Sequence, residues 1–188
     1  MPYWKRPMQR WLSFVLVFFL SGASHADMAF ENVKLTVSDD QRLMLNASMA
    51  ITLSPAVIQA LENGVPITFE KLIQLREQDA WVWTEDLAEY RMRSVLRYRL
   101  LEKVYEVKRL DSGNVIKRAT LAAALTQLGD IQAMPIIELA KLNPSDTYNV
   151  ELDAKLDIEA LPLPLRPKAY LSSDWSLSAE TVKQGFKL

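Results

Sequence analysis

The side chains able to do chemistry in this chain are mostly charged ones set two residues apart. Arg91, Arg93, Arg97 and Arg99 recur at a spacing that puts side chains on one side of an extended strand. Glu151, Asp153, Asp157 and Glu159 repeat the pattern further on, with Lys155 among them. As functional surfaces, the first would be a basic groove for an anionic ligand or partner, and the second a calcium site. Calcium needs six to eight oxygens around one point. Side chains two apart on a strand stand roughly 7 Å from each other, so one strand cannot converge enough of them. The plainer expectation is that both rows are solvent faces of half-buried strands, neighbours forming cross-strand ion pairs. Such exposed pairs contribute about 0–1 kcal/mol each. Trp81, Trp83, Tyr90, Tyr98 and Tyr105 could line a carbohydrate or peptide groove, although alternating aromatics in strands more often pack in a core. The candidate partner-binding residues are therefore Arg91, Arg93, Arg97, Arg99, Trp81 and Trp83.

Much other chemistry is missing. The chain has no cysteine and one histidine, His25, so Ser-His-Asp and Cys-His nucleophile systems, disulfides and Cys/His zinc sites fall away. Asp111-Ser112-Gly113 spells the aspartic-protease tripeptide, but that chemistry needs two carboxylates sharing a proton. Only one copy is present, in a polar turn. Gly64, Gly113, Gly129 and Gly185 are scattered, so no phosphate-cradling loop is written here. No Ser-x-x-Lys occurs. A glycosidase-like carboxylate pair stays open, because its members come from distant positions. No catalytic residue, metal or cofactor is assigned.

Residues 1–26 have the layout of an export signal. Lys5, Arg6 and Arg10 precede the apolar run Trp11–Leu20, and small residues lead to Ser24-His25-Ala26. An apolar core of about 10 to 13 residues is short for a bilayer, which takes about 20. Cleavage after Ala26 is expected, with Ala23 as a second position and an uncleaved inner-membrane anchor as the alternative. Contact with the membrane is then transient, through the signal alone. Losing three of the 22 bases leaves 19 against 23 acids, a mildly acidic domain. Nucleic-acid binding, which shows as a basic excess, is not expected. An exported domain of residues 27–188 without disulfides fits a periplasm.

The elements that must position these residues are mainly strands. Val33, Leu35 and Val37, then Leu43 to Leu53, alternate about the turn Ser38–Gln41 and predict a hairpin. Ser54-Pro55 opens a short helix that Asn63-Gly64 closes. Pro66–Arg76 returns to strand, with Lys71 as the exception on its apolar face. Ala88–Leu100 alternates as a long strand, and the phase shift to Tyr105 and Val107 suggests a bulge or bend. After the turn at Asp111–Asn114, Thr120 caps a second helix that Gly129 stops. Pro135–Leu142 and Val150–Ile158 are strands. Leu161–Pro167 should be extended, a stiff strap between sheets, because its prolines restrict their neighbours; its Pro-x-x-Pro spacing could also serve as a proline-domain ligand. Trp175 and Leu177 mark a last strand. About eight strands and two short helices predict one mainly β domain, an antiparallel β-sandwich with helical crossovers. An immunoglobulin-like outline is one such arrangement.

An ordered set of landmarks accompanies these elements: Ala60 to Phe69, Trp81-Val82-Trp83, Leu96-Arg97-Tyr98, Tyr105-Glu106-Val107, Tyr148 to Asp157, Leu161 to Arg166, and Asp174 to Leu177. In this order they resemble a family of exported proteobacterial proteins described as domain of unknown function 4390. The resemblance implies a one-domain envelope protein with a signal peptide. It also implies an envelope protein or a sensor kinase of the nitrogen-regulation type as partner, since the family's genes often lie beside such a kinase. It carries no catalytic residues. The function expected is a non-enzymatic binding or accessory module of the periplasm. A carboxylate-dependent hydrolase acting on envelope carbohydrate or peptide, and a structural envelope protein, are the alternatives.

Overall fold

Strict alternation makes the second strand of the chain half-buried. In the computed structural model, which describes residues 26–79 and 86–188, Leu43, Leu45, Ala47 and Met49 all point inward from β2 (Arg42–Thr52). The expected export signal, up to His25, and the run holding Trp81 and Trp83 lie outside the described residues. β2 pairs antiparallel with β1 (Asp27–Val37). β1 starts earlier than its alternation suggests, because its phase switches midway. Met28 and Phe30 face in at one end, Val33 and Leu35 at the other. A bulge at Asn32 makes the switch, with φ of 49° and a register shift between Glu31 and Lys34.

α1 (Pro55–Glu62) forms where expected. The Ser54 hydroxyl accepts from Val57 N–H at 3.2 Å, Pro55 sits in the first turn, and Val57 and Leu61 are buried. Gly64 ends it at φ of 85°. The chain then crosses to β3 (Ile67–Glu77) and a meander of β4 (Ala88–Arg99), β5 (Val104–Arg109) and β6 (Val115–Arg118). α2 (Leu121–Gly129) leads back to β7 (Ile131–Glu138), then come β8 (Thr147–Leu156), α3 (Arg166–Leu171) and β9 (Val182–Lys187). One sheet has the order β1-β2-β7, the other β6-β5-β4-β3-β8-β9. All pairs are antiparallel.

This pairing order resembles an immunoglobulin-like outline without its fourth first-sheet strand: β1, β2 and β7 share one sheet, while β3, β8 and β9 share the other with β4, β5 and β6 beside β3. A second hallmark agrees. Tyr148 opens β8, and its buried hydroxyl turns back to Asn143, accepting from the N–H at 2.8 Å and donating to the C=O at 3.2 Å. A tyrosine that pins the connection before it is the corner motif of such sandwiches.

The core divides in two. Ile67, Phe69, Leu96 and Leu156 pack with α1, Leu128 and Trp175 at one end; Ile73, Leu75, Val150 and Leu152 pack with Leu43 and Leu45 at the other. Burying each large apolar side chain stabilises the fold by about 1.5–3 kcal/mol. Lys71 stands at the divide, 4% exposed. Its ammonium donates to Leu128 C=O at 2.5 Å, in the last turn of α2, where the helix dipole favours a cation. Burial, aided by nearby Arg109 and opposed by Asp130, lowers its pKa to about 8. The exception on the β3 apolar face thus ties the large sheet to α2.

Several expectations need correcting. Among the described residues there are nine strands and three α-helices. The phase shift after β4, expected to mark a bulge or a bend within one run, is a hairpin turn, Leu100–Lys103, between two strands; Lys103 takes φ of 53° in it. β7 lies at Ile131–Glu138, earlier than Pro135–Leu142, and Leu139–Lys141 is a 3₁₀ turn. Leu161–Pro167 is not an extended strap. Pro164 enters a 3₁₀ turn, Leu163–Leu165, and Pro167 the first turn of α3, positions where a missing N–H removes no helix bond. Trp175 is buried in a 3₁₀ turn, Ser173–Trp175; beyond it only the bridge Lys155–Ser178 forms before β9. The end of α2 at Gly129 is as expected. Gly129 is the last helical residue, and a Cβ there would lie 2.2 Å from Met49 O.

Candidate binding groove

The outward faces of β4, β3 and β8 build one charged surface. Register sets Arg93 opposite Glu70 and Glu70 opposite Lys155; one step along, Arg91, Leu72 and Asp153 form the next row. The two charged rows are therefore not neighbours. β3 lies between them, and Glu70 mediates. Its carboxylate, 12% exposed, takes Arg91 at 3.5 Å and Lys155 at 3.5 Å. Arg91 also reaches Glu89 at 3.4 Å.

Above this surface lies a groove of about 620 Å³. Arg91, Arg93, Glu70 and Lys155 form its floor, and Asp157, Glu159 and Tyr170 its wall. The wall exists because the chain leaves β8 at Leu156 and folds into turns. Asp157 caps the 3₁₀ turn Ile158–Ala160, accepting from Ala160 N–H at 3.2 Å, and its other oxygen takes Arg93 Nη2 at 2.7 Å. Tyr170 on α3 donates to Glu159 at 3.4 Å. A smaller hollow of about 270 Å³ continues the groove past Leu72 and Asp153 toward Ala179.

Four predicted arginines share this face but differ in their partners. Arg91 and Arg93 line the groove. Arg93 keeps its Nε without a hydrogen-bond partner, so Asp157 leaves the guanidinium unsaturated. Arg97 is exposed, faces Glu106 in register, and takes part in no ion pair among the described residues. Arg99, at the strand end, meets Glu102 at 3.3 Å, which also binds Lys117. Together these hold the Glu102 carboxyl below its usual range. Trp81 and Trp83 lie outside the described residues. Tyr90, Tyr98 and Tyr105 belong to the inner face: Tyr90 donates to Ile136 O at 2.7 Å across the sandwich, and the rings of Tyr98 and Tyr105 meet at 4.8 Å.

The acidic row is divided. Glu151 binds Lys183 at 2.8 Å, Asp153 accepts from the Thr181 hydroxyl, and Asp157 and Glu159 lie beyond the strand in the turn. Among the described residues, no three His, Asp or Glu side chains come together as a metal set. Asp111-Ser112-Gly113 is the β5–β6 turn, with Gly113 at φ of 72° donating to Arg109 O at 3.0 Å. The residues not foreseen in the groove are Glu70 and Tyr170. Glu70 had a signal: Glu70, Gln74 and Arg76 alternate on the polar side of β3. Tyr170 had none, because it lies just past the segment Leu161–Pro167 expected to be extended, where no element was expected.

The chain belongs to the family described as Domain of unknown function (DUF4390), which matches residues 25–184. No curated protein and no solved structure matches it.

Proposed function

We propose that this member of the DUF4390 family is an exported, periplasmic, non-enzymatic binding module. It engages an envelope protein or signalling partner through the outer face of its six-stranded sheet. The observation that carries this reading is the state of the arginines there. Arg97 is exposed without an ion pair among the described residues, and Arg93, 42% exposed over its side chain, lines the groove floor. Such planar donors suit carboxylates of a partner segment laid across the strands. The groove's own carboxylates are engaged differently from those of a hydrolase. Such an enzyme uses two carboxylates flanking one scissile bond. Here Glu70 is held by Arg91 and Lys155, Asp157 by Arg93, and Glu159 accepts from Tyr170. That arrangement favours recognition over acid–base work. Export is supported by the layout of residues 1–26, and a sensor kinase as partner by the family resemblance. No helix of the described residues is long and apolar enough to cross a membrane.

The test is Arg97→Glu combined with Arg93→Gln. Arg97 is exposed, whereas Arg93→Gln gives up the 2.7 Å pair with Asp157, so the variant should stay folded with a loss of about 1–2 kcal/mol in unfolding free energy. Recovery of the partner that crosslinks to the parent protein should be lost. Undiminished recovery with a folded variant overturns the assignment of the face.

A further inference from the structure

We propose that one end of the sandwich is a lipid-docking surface, with Leu101 and Leu171 entering the headgroup region of a bilayer. The register identifies this end. Asp27 pairs with Thr52, α1 follows Thr52, Ile67 opens β3 opposite Leu96, and β4 ends at Arg99. The Leu100–Lys103 turn, α1 and α3 therefore cap the same end. Leu100 comes to 3.9 Å from the Cβ position of Gly64, and Ala169 of α3 shares a core with Val57, Leu61 and Trp175.

Exposed apolar side chains concentrate there. Among the described residues, the five most exposed large ones are Leu101, Leu171, Leu163, Tyr170 and Leu100, from 101% down to 59%, ahead of Val37 at 55%. All five lie in the β4–β5 turn or in residues 163–171. Scattered exposed leucines need no explanation, but the top five gathered at one end of a sandwich do.

Two observations favour lipid over a protein as occupant. The leucines stand on a tight turn and a six-residue helix, and Leu101 is fully exposed. Protein interfaces instead centre on packed aromatic and arginine anchors. Protruding aliphatics with Lys103 in the turn of Leu101 and the exposed Lys168 on the helix of Leu171 match an interfacial contact. The route of the chain agrees. Partly buried Ala26 packs on the core at this end, and the apolar run Trp11–Leu20 ends six residues before it, at most about 20 Å of chain. While that run is attached and in a bilayer, this end faces the lipid. The proposal does not rest on the groove reading.

The absence of cysteine makes the test direct. The full chain is expressed as Leu101→Cys, Leu171→Cys or Val37→Cys, recovered in the form the cell leaves it, and labelled with a polarity-sensitive fluorophore. Vesicles of phosphatidylethanolamine and phosphatidylglycerol, or of phosphatidylcholine, are then added. Emission should shift to the blue at positions 101 and 171 and stay unchanged at position 37. Labels at 101 and 171 that remain in water, or an equal shift at 37, overturn the proposal. A shift produced only by added envelope proteins without lipid also overturns it and assigns the end to a protein partner.

Discussion

Lys71 gives the sharpest energetic prediction. Its ammonium is buried between the two halves of the core, bonded to the Leu128 carbonyl, and its pKa is about 8 against the ordinary 10.5. The folded protein therefore releases this proton above about pH 8, while the unfolded chain keeps it until about 10.5. Between those values the unfolded state binds more protons, so stability must rise with pH. Each pH unit in the window corresponds to about 1.4 kcal/mol. Allowing for the rounded ends of the titration, the gain from pH 7 to pH 10 is about 2–3 kcal/mol. Tyrosines and other lysines titrate nearby, so the quantity to measure is a difference. Urea unfolding of the parent and of Lys71→Met at pH 7, 8, 9 and 10 isolates it. The parent's stability relative to the variant should be nearly flat below pH 8 and then climb by that amount. A flat difference across the whole range would refute the burial of a charged lysine at the divide of the core.

Other expectations follow from single contacts. Gly129→Ala should destabilise by about 1–3 kcal/mol in chemical unfolding, because the new methyl meets the Met49 carbonyl of β2 at 2.2 Å. On helix propensity alone the same change would stabilise by up to about 1 kcal/mol, so the sign decides whether α2 packs as described. Tyr148→Phe removes both bonds to Asn143 and should cost about 1–3 kcal/mol in thermal or chemical unfolding. An unchanged midpoint would mean that the corner does not hold the β7–β8 connection.

The legible parts of the fold are those where one local rule acts alone. Alternation in β2, β3, β4 and β8 marks their inner faces, and Ser54-Pro55 with Gly64 brackets α1. Legibility fails where two rules compete. Proline discourages a helix in its interior but suits its first turn, and Leu161–Pro167 took the second course at Pro164 and Pro167. The Leu100–Lys103 turn contains no Gly, Pro, Asn or Asp, so nothing local announces it; Lys103 is carried into a positive φ by the pairing of β4 with β5. Lys71 looks like an error of phase until α2 supplies its acceptor. The groove follows the same division. Arg91 and Arg93 are visible from spacing, and Lys155 stands within the acidic row. Tyr170 and the turn holding Glu159 arrive from a segment whose conformation tertiary packing decides.

The central claim is that the charged face of the large sheet binds a partner in the envelope. Photocrosslinking from positions 93 and 97 in the native periplasm, with mass spectrometry of whatever is trapped, tests it most directly. One recurrent partner trapped from both positions and absent from a control at position 37 is the predicted result. Crosslinks no different from that control would contradict the account and leave the face a solvated surface.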